Sequence, residues 1–325
     1  MRNKAQNRIW VFLMIGGLLL SACRSKEKVF PLGEFLPEND KFWEVVPQGA
    51  VMERIGINFE FTEGPAWHPK GFLVFSDIPG NTIYQWTGKK FVSYRDSSNN
   101  ANGLLFMQGG DLLACEHSSR SITRYSLEGK LSTIVDAYQG QRLNSPNDLC
   151  RSLYGTIYFT DPPWGLAGLN EDPEKDLSFN GVFSLDRGQV SLIDSTLSWP
   201  NGIALSPDER YLYVANMEIL QENGEDKYDV FWMRYTLGEN GEVVDKRVFY
   251  RAPDTTLPGG PDGMKVDRNG NLFVTGPGGI LVLDSTGTHL GTISIPIPAT
   301  NLAFGPREKE MFITARSTVY RIKME

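Results

Sequence analysis

Six short apolar runs, most closed by a polar residue, punctuate the chain: FLVFSD at 72–77, DLLACE at 111–116, TIYFTD at 156–161, YLYVAN at 211–216, NLFVTG at 271–276 and EMFITA at 310–315. About fourteen residues before the end of each run stands an acid or an amide: Glu63, Asn102, Asn147, Asn201, Asp262 and Asn301. A shorter apolar stretch opens at that residue, as in GPAWH after Glu63 and GIALS after Asn201. Turns rich in Gly, Pro and Asp (PKG, QGGD, SPDE, DRNGN) separate the two stretches. Third strands follow at 82–86, 121–127, 182–186, 230–237, 280–284 and 318–324, and fourth strands in most units, as at 91–95 and 132–136. Helical periodicity is almost absent, so the pattern predicts an all-β fold.

One register held through six units, spaced by roughly 40 to 60 residues, is a repeat architecture. Four-stranded units arranged radially make a β-propeller, here with six blades. The last unit runs out of chain after its third strand, whereas the segment around 51–61 has no unit of its own. That segment is expected to supply the outermost strand of the sixth blade, which closes the ring and limits exposed edges. The innermost strand of each blade runs away from its acid or amide and the second strand returns. Asp77, Glu116, Asp161 and Asn216 are therefore expected on the same mouth of the central channel. Long loops at 162–180 and 217–229 are expected to overhang that mouth, as functional lids often do.

The 325 residues are 41% hydrophobic, with formal net charge −7 and a pI near 5.2. A core of ordinary size is available. The acidic balance, with no basic run interleaved with aromatics, excludes a nucleic-acid footprint. Arg2, Lys4 and Arg8 precede an apolar stretch at 9–20, a secretory signal pattern. It ends in Leu20-Ser21-Ala22-Cys23, which resembles a bacterial lipobox. Residues 1–22 are thus expected to be a signal peptide, 23–44 a lipidated Cys23 with a polar tether, and 45–325 the propeller. The expected address is a bacterial membrane, on its periplasmic or cell-surface side, with the lipid on Cys23 as anchor. A monomer is expected. Cys115 and Cys150 fall at unmatched repeat positions and are expected to be free thiols.

Six oxygen-bearing side chains at one repeat position converge on the axis. Carboxylates at Glu63 and Asp262 with amide oxygens beside them suit Ca²⁺, although Mg²⁺, Mn²⁺ or Zn²⁺ can bind similar sets. A cation also relieves the cost of packing two acids together. Other motifs give little. No nucleophile elbow, zinc-helix or P-loop pattern occurs. The run Asp267-Arg268-Asn269-Gly270-Asn271 begins like an EF-hand loop but has Gly278 at the twelfth position, so a β-turn is expected there.

Several stretches together resemble the senescence marker protein/gluconolactonase/regucalcin family of six-bladed propellers, across roughly 45–325. They are EGPAWHP at 63–69, NGLLF at 102–106 with ACEHSSRSI at 114–122, RLNSPNDL at 142–149 with IYFTDPPWGL at 157–166, WPNGIALSPDERYLYVAN at 199–216, PDGMKVDRNGNLFV at 261–274 and TNLAFG at 300–305. RLNSPND and FTDPPWG are most similar to the bacterial gluconolactonase branch. The resemblance implies a divalent metal held by Glu63, Asn147, Asn201 and Asp262, with Asn102 and Asn301 behind them or facing substrate. It implies hydrolysis of a sugar lactone by Lewis-acid polarisation of the carbonyl and activation of water. Asp262 is the favoured general base, with His117 as the alternative and Glu116 placed to orient it. Arg142 is a candidate for substrate hydroxyls, and Trp164 and Trp199 for walls of a sugar site. In the animal branch a substrate-contacting Arg stands where this chain has Ser145. Competing readings are an organophosphate or ester hydrolase on the same metal site, and a non-catalytic ligand-binding propeller.

Overall fold

The computed structural model describes residues 32–222 and 225–324. They form a six-bladed β-propeller. Blade one comprises Thr62–His68, Phe72–Asp77, Thr82–Trp86 and Phe91–Asp96, each strand antiparallel to the next. Blades two to four repeat that order from Ala101–Phe106, Leu149–Arg151 and Ile203–Leu205 outward. Met264–Val266 opens blade five and Asn301–Phe304 opens blade six. The innermost strands touch in a closed circuit, blade six packing against blade one.

The apolar runs are second strands, and their burial explains why they lack alternation. Leu112–Glu116 and Leu272–Gly276 are buried at every position. A blade in the interior of the ring has a neighbour on both faces, so both sets of alternating side chains must be apolar. Leu73 and Phe75 turn to Phe312 and Val319 of blade six. Val74, between them, turns to Ala101, Leu104 and Leu112 of blade two. Six hydrophobic clusters result, one at each seam between blades. Outer strands face water and read as polar: Val243–Arg251 is largely exposed.

Val51–Gly56 pairs with Thr318–Lys323 as the outermost strand of blade six. Glu53 ties the closure with charge-assisted bonds to Arg321 and Lys323, the latter at 2.6 Å. Two expectations need correction. The tether does not extend to residue 44: Glu34–Pro37 is a fifth strand on blade five, paired with His289–Ser294, and Phe42–Val45 is one helical turn. Phe42 is wholly buried in the seam between blades five and six, which fixes this segment to the ring. Nor is 217–229 a loop. Tyr211–Glu222 and Glu225–Leu237 run on as a two-stranded ribbon past the end of the blade. Cys115 and Cys150 are free. Asp267 caps its own turn, accepting the N–H groups of Asn269 and Asn271 at 2.8 Å, as a β-turn there requires. The signal segment and Cys23 lie outside the described residues.

Candidate active site

Each axial acid or amide is followed by glycine in four blades: Gly64, Gly103, Gly202 and Gly263. The reason is close approach between innermost strands. A Cβ at Gly64 would strike the carbonyl of Asn102, and one at Gly202 the carbonyl of Asp262. Where strands crowd this tightly only glycine fits. The neighbouring blade then fixes the backbone of the axial residues. Ser76 Oγ donates to the Asn102 carbonyl and Thr160 Oγ1 to the Asn201 carbonyl, both at 2.7 Å. With their main chains held, the axial side chains project into the channel.

The polar residues that end the second strands brace the approach to this ring. Asp77 accepts the N–H of Phe61 at 2.9 Å, Asp161 that of Asn144 at 2.7 Å, and Asn216 that of Trp199 at 2.9 Å. They lie on the mouth face as expected, and each commits an oxygen to a loop.

At the mouth lies a cavity of about 360 Å³ lined by Phe61, Glu63, Ile78, Pro79, Asn102, His117, Asn147, Trp164, Asn201 and Asp262. A larger cavity, about 530 Å³, lies elsewhere, beside Tyr250, His289 and Leu36; it holds none of the axial residues. The mouth cavity brings together all four expected metal ligands, with both candidate bases. The Glu63 carboxyl and the Asn201 side chain both lie near enough to act on the Asp262 carboxyl. Two oxygens there, Glu63 Oε1 and Asn201 Oδ1, are buried acceptors without a protein donor. Unpartnered acceptors beside paired carboxylates fit a cation. Among the described residues no three His, Cys, Asp or Glu side chains converge as metal ligands, so this set owes half its donors to asparagine amides.

Burial dominates the electrostatics. It pushes Glu63 up to about 7, with the charge of Asp148 adding to the effect. Burial followed by repulsion from Glu63 and Asp148 holds Asp262 well above the usual carboxylate range. Desolvation also pushes His117 down to about 4, so its imidazole is neutral at physiological pH. His117 Nε2 lies 3.4 Å from Asn102 Nδ2. An amide N–H there makes Nε2 the acceptor and leaves the ring proton on Nδ1.

Two expected site residues are elsewhere, and a third takes the expected place behind the metal donors rather than facing substrate. Glu116 does not orient His117: it is wholly buried, paired with Arg95 at 2.7 Å, and accepts from Thr123, Asn99 and Ser119. Arg142 is exposed on the short hairpin Ala137–Tyr138/Gln141–Arg142, its N–H donating to Asp176 at 3.0 Å. Asn301 does not line the cavity; it sits behind Glu63, donating to Oε2 at 3.0 Å and toward Asp148 at 3.4 Å. Asp148 itself was not anticipated. It is a third buried carboxylate, raised by burial, at the position where four of the other blades carry the crowded glycine and blade six carries Leu302. That break in the glycine pattern was the available signal. Phe61, Ile78 and Pro79 come from loops with no periodic signature.

Residues 61–317 match the family model described as the SMP-30/Gluconolactonase/LRE-like region. The chain is 36% identical over 313 residues to the gluconolactonase of Zymomonas mobilis, covering 89% of this chain and 85% of that protein. It is 27% identical over 267 residues to a pentonolactonase of Haloferax volcanii, covering 78% and 80% respectively. Among solved structures, a gluconolactonase from Xanthomonas campestris superposes with a TM-score of 0.77 at 31% identity, over 91% of this chain and 99% of that one.

Proposed function

The chain belongs to the SMP-30/gluconolactonase/LRE-like family, and from that premise we propose that it hydrolyses a lactone, of the gluconolactone type, in the cavity at the channel mouth. The observation that carries this reading is the pair of unpartnered buried oxygens, Glu63 Oε1 and Asn201 Oδ1, beside the Asp262 carboxyl. Glu63, Asn147, Asn201 and Asp262 would hold a divalent cation. Hard oxygens with two negative charges favour Ca²⁺. When bound, the cation supplies Lewis-acid polarisation of the ester carbonyl.

The chain's own residues do the rest. Asp262 receives the proton of the attacking water on its carboxylate. His117, neutral and buried, offers weak basicity and is better suited to hydrogen-bonding substrate together with Asn102. Asn301 keeps Glu63 facing the cavity by holding its Oε2. Phe61, Ile78, Pro79 and Trp164 limit water around the reacting ester.

A pH-stat assay on glucono-1,5-lactone, corrected for spontaneous opening, tests the reading. EDTA should remove at least about a hundredfold of the rate and Ca²⁺ should restore it. Asp262→Asn should lose about 10³-fold in kcat, and His117→Ala less than about tenfold. Hydrolysis indifferent to EDTA, or greater loss at His117 than at Asp262, would overturn the assignment. For location, we propose that Cys23 carries a lipid that tethers the enzyme to a membrane; the Leu20–Cys23 sequence supports this.

A further inference from the structure

With the four cation donors set aside, the cavity offers a substrate few polar groups. Asn102 and His117 are the polar side chains that remain, and among the described residues no Lys or Arg lines the space. The walls are apolar. Phe61, Ile78, Pro79 and Trp164 form them.

Trp164 is 36% exposed, and one face of its ring is covered. Its ring stacks on Trp199 with centroids 4.4 Å apart. The turn that carries it is fastened by Ser145, whose buried Oγ donates to the Pro162 carbonyl at 2.7 Å and accepts the Gly165 N–H at 2.8 Å. Gly165 lies so close to His117 and Ser145 that a Cβ would overlap both. Further along the same loop, Arg120 donates to the Glu174 carbonyl at 2.7 Å and Asn180 to the Ser198 carbonyl at 2.6 Å. Segment 162–180 is thus tied to the ring at Pro162, Gly165, Glu174 and Asn180. A clamped indole facing a cation-binding floor is a stacking platform, pre-organised at no cost to binding.

Resting on the lactonase reading, we infer that Trp164 sets specificity: it stacks on the C–H face of the lactone ring, and the site recognises that ring rather than its hydroxyls. A site built to bind hydroxyls rejects analogues that lack them, because its own polar groups are left unpaired. This cavity has almost none to leave unpaired. The substrate class therefore extends from sugar lactones to five- and six-membered lactones with few or no hydroxyl groups.

The test compares glucono-1,5-lactone with δ-valerolactone, the same ring without hydroxyls, on the full-length chain in detergent with Ca²⁺. The two should differ by less than about tenfold in kcat/KM. Trp164→Ala should raise KM about tenfold for both while kcat stays within about threefold, and Trp164→Phe should recover most of the loss. Arg142→Ala, outside the cavity, serves as the control. A greater penalty for δ-valerolactone, or an unchanged KM in Trp164→Ala, overturns the inference. If the wild type hydrolyses neither lactone, the lactonase reading has failed instead. Tryptophan fluorescence then decides the platform: quenching by lactone in wild type and not in Trp164→Ala upholds it, and no difference between the two rejects it.

Discussion

Glu63 carries a conflict that a titration can expose. Without a cation, burial and Asp148 raise its carboxyl from 4.5 to about 7. An acid raised in the folded state stabilises the fold when protonated: the contribution is full below pH 4.5 and is lost as pH rises through 7. Glu63→Gln mimics the protonated form. In EDTA at pH 8 the variant should exceed wild type by up to roughly 3 kcal/mol, and the gap should close by pH 5. Urea melts at both pH values measure it. Added Ca²⁺ should reverse the order at pH 8, because wild type retains the ligand. Glu63 and Asp262 stood out in the sequence through their repeat position. Glu116 and Arg142 stood near that position, but their side chains are directed away from the cavity. Glu116 answers to Arg95, which enters from a neighbouring blade; no spacing along the chain announces such a partner.

At the scale of elements, the innermost strands are the tightest part of the molecule. The glycines after the axial residues permit the approach, so Gly202→Ala should cost about 1–3 kcal/mol through overpacking. A lowered urea midpoint with an unchanged slope would check this; an unchanged midpoint would mean that the strands can part. Blade strands were legible because burial on both faces leaves long apolar runs. The ribbon after Tyr211 was not: its acidic composition reads as loop, although the Asn-Gly pair at 223–224 is a hairpin signal. Glu34–Pro37 was less legible still. Four residues ending in proline carry no strand signal of their own, and the free edge of His289–Ser294 supplies the template.

At the scale of the whole molecule, the proposed lipid on Cys23 would decide where the ring works. If Cys23 bears the lipid, Cys23→Ser should abolish incorporation of labelled fatty acid and move lactonase activity from the membrane fraction to the soluble one. Activity that stays with the membrane after the substitution would discard the anchor. Across the ring, the sequence alone determined blade number, closure by the segment around 51–61 and the identity of the axial residues. All three are recorded as periodicity, which survives in one dimension. Tertiary structure alone decided which polar groups face the cavity, that Asp148 sits beneath them, and that Trp164 is clamped as a wall. Those facts depend on contacts between blades and on loops without periodic constraint, where a side chain's direction is set by whatever neighbour the closing ring brings against it.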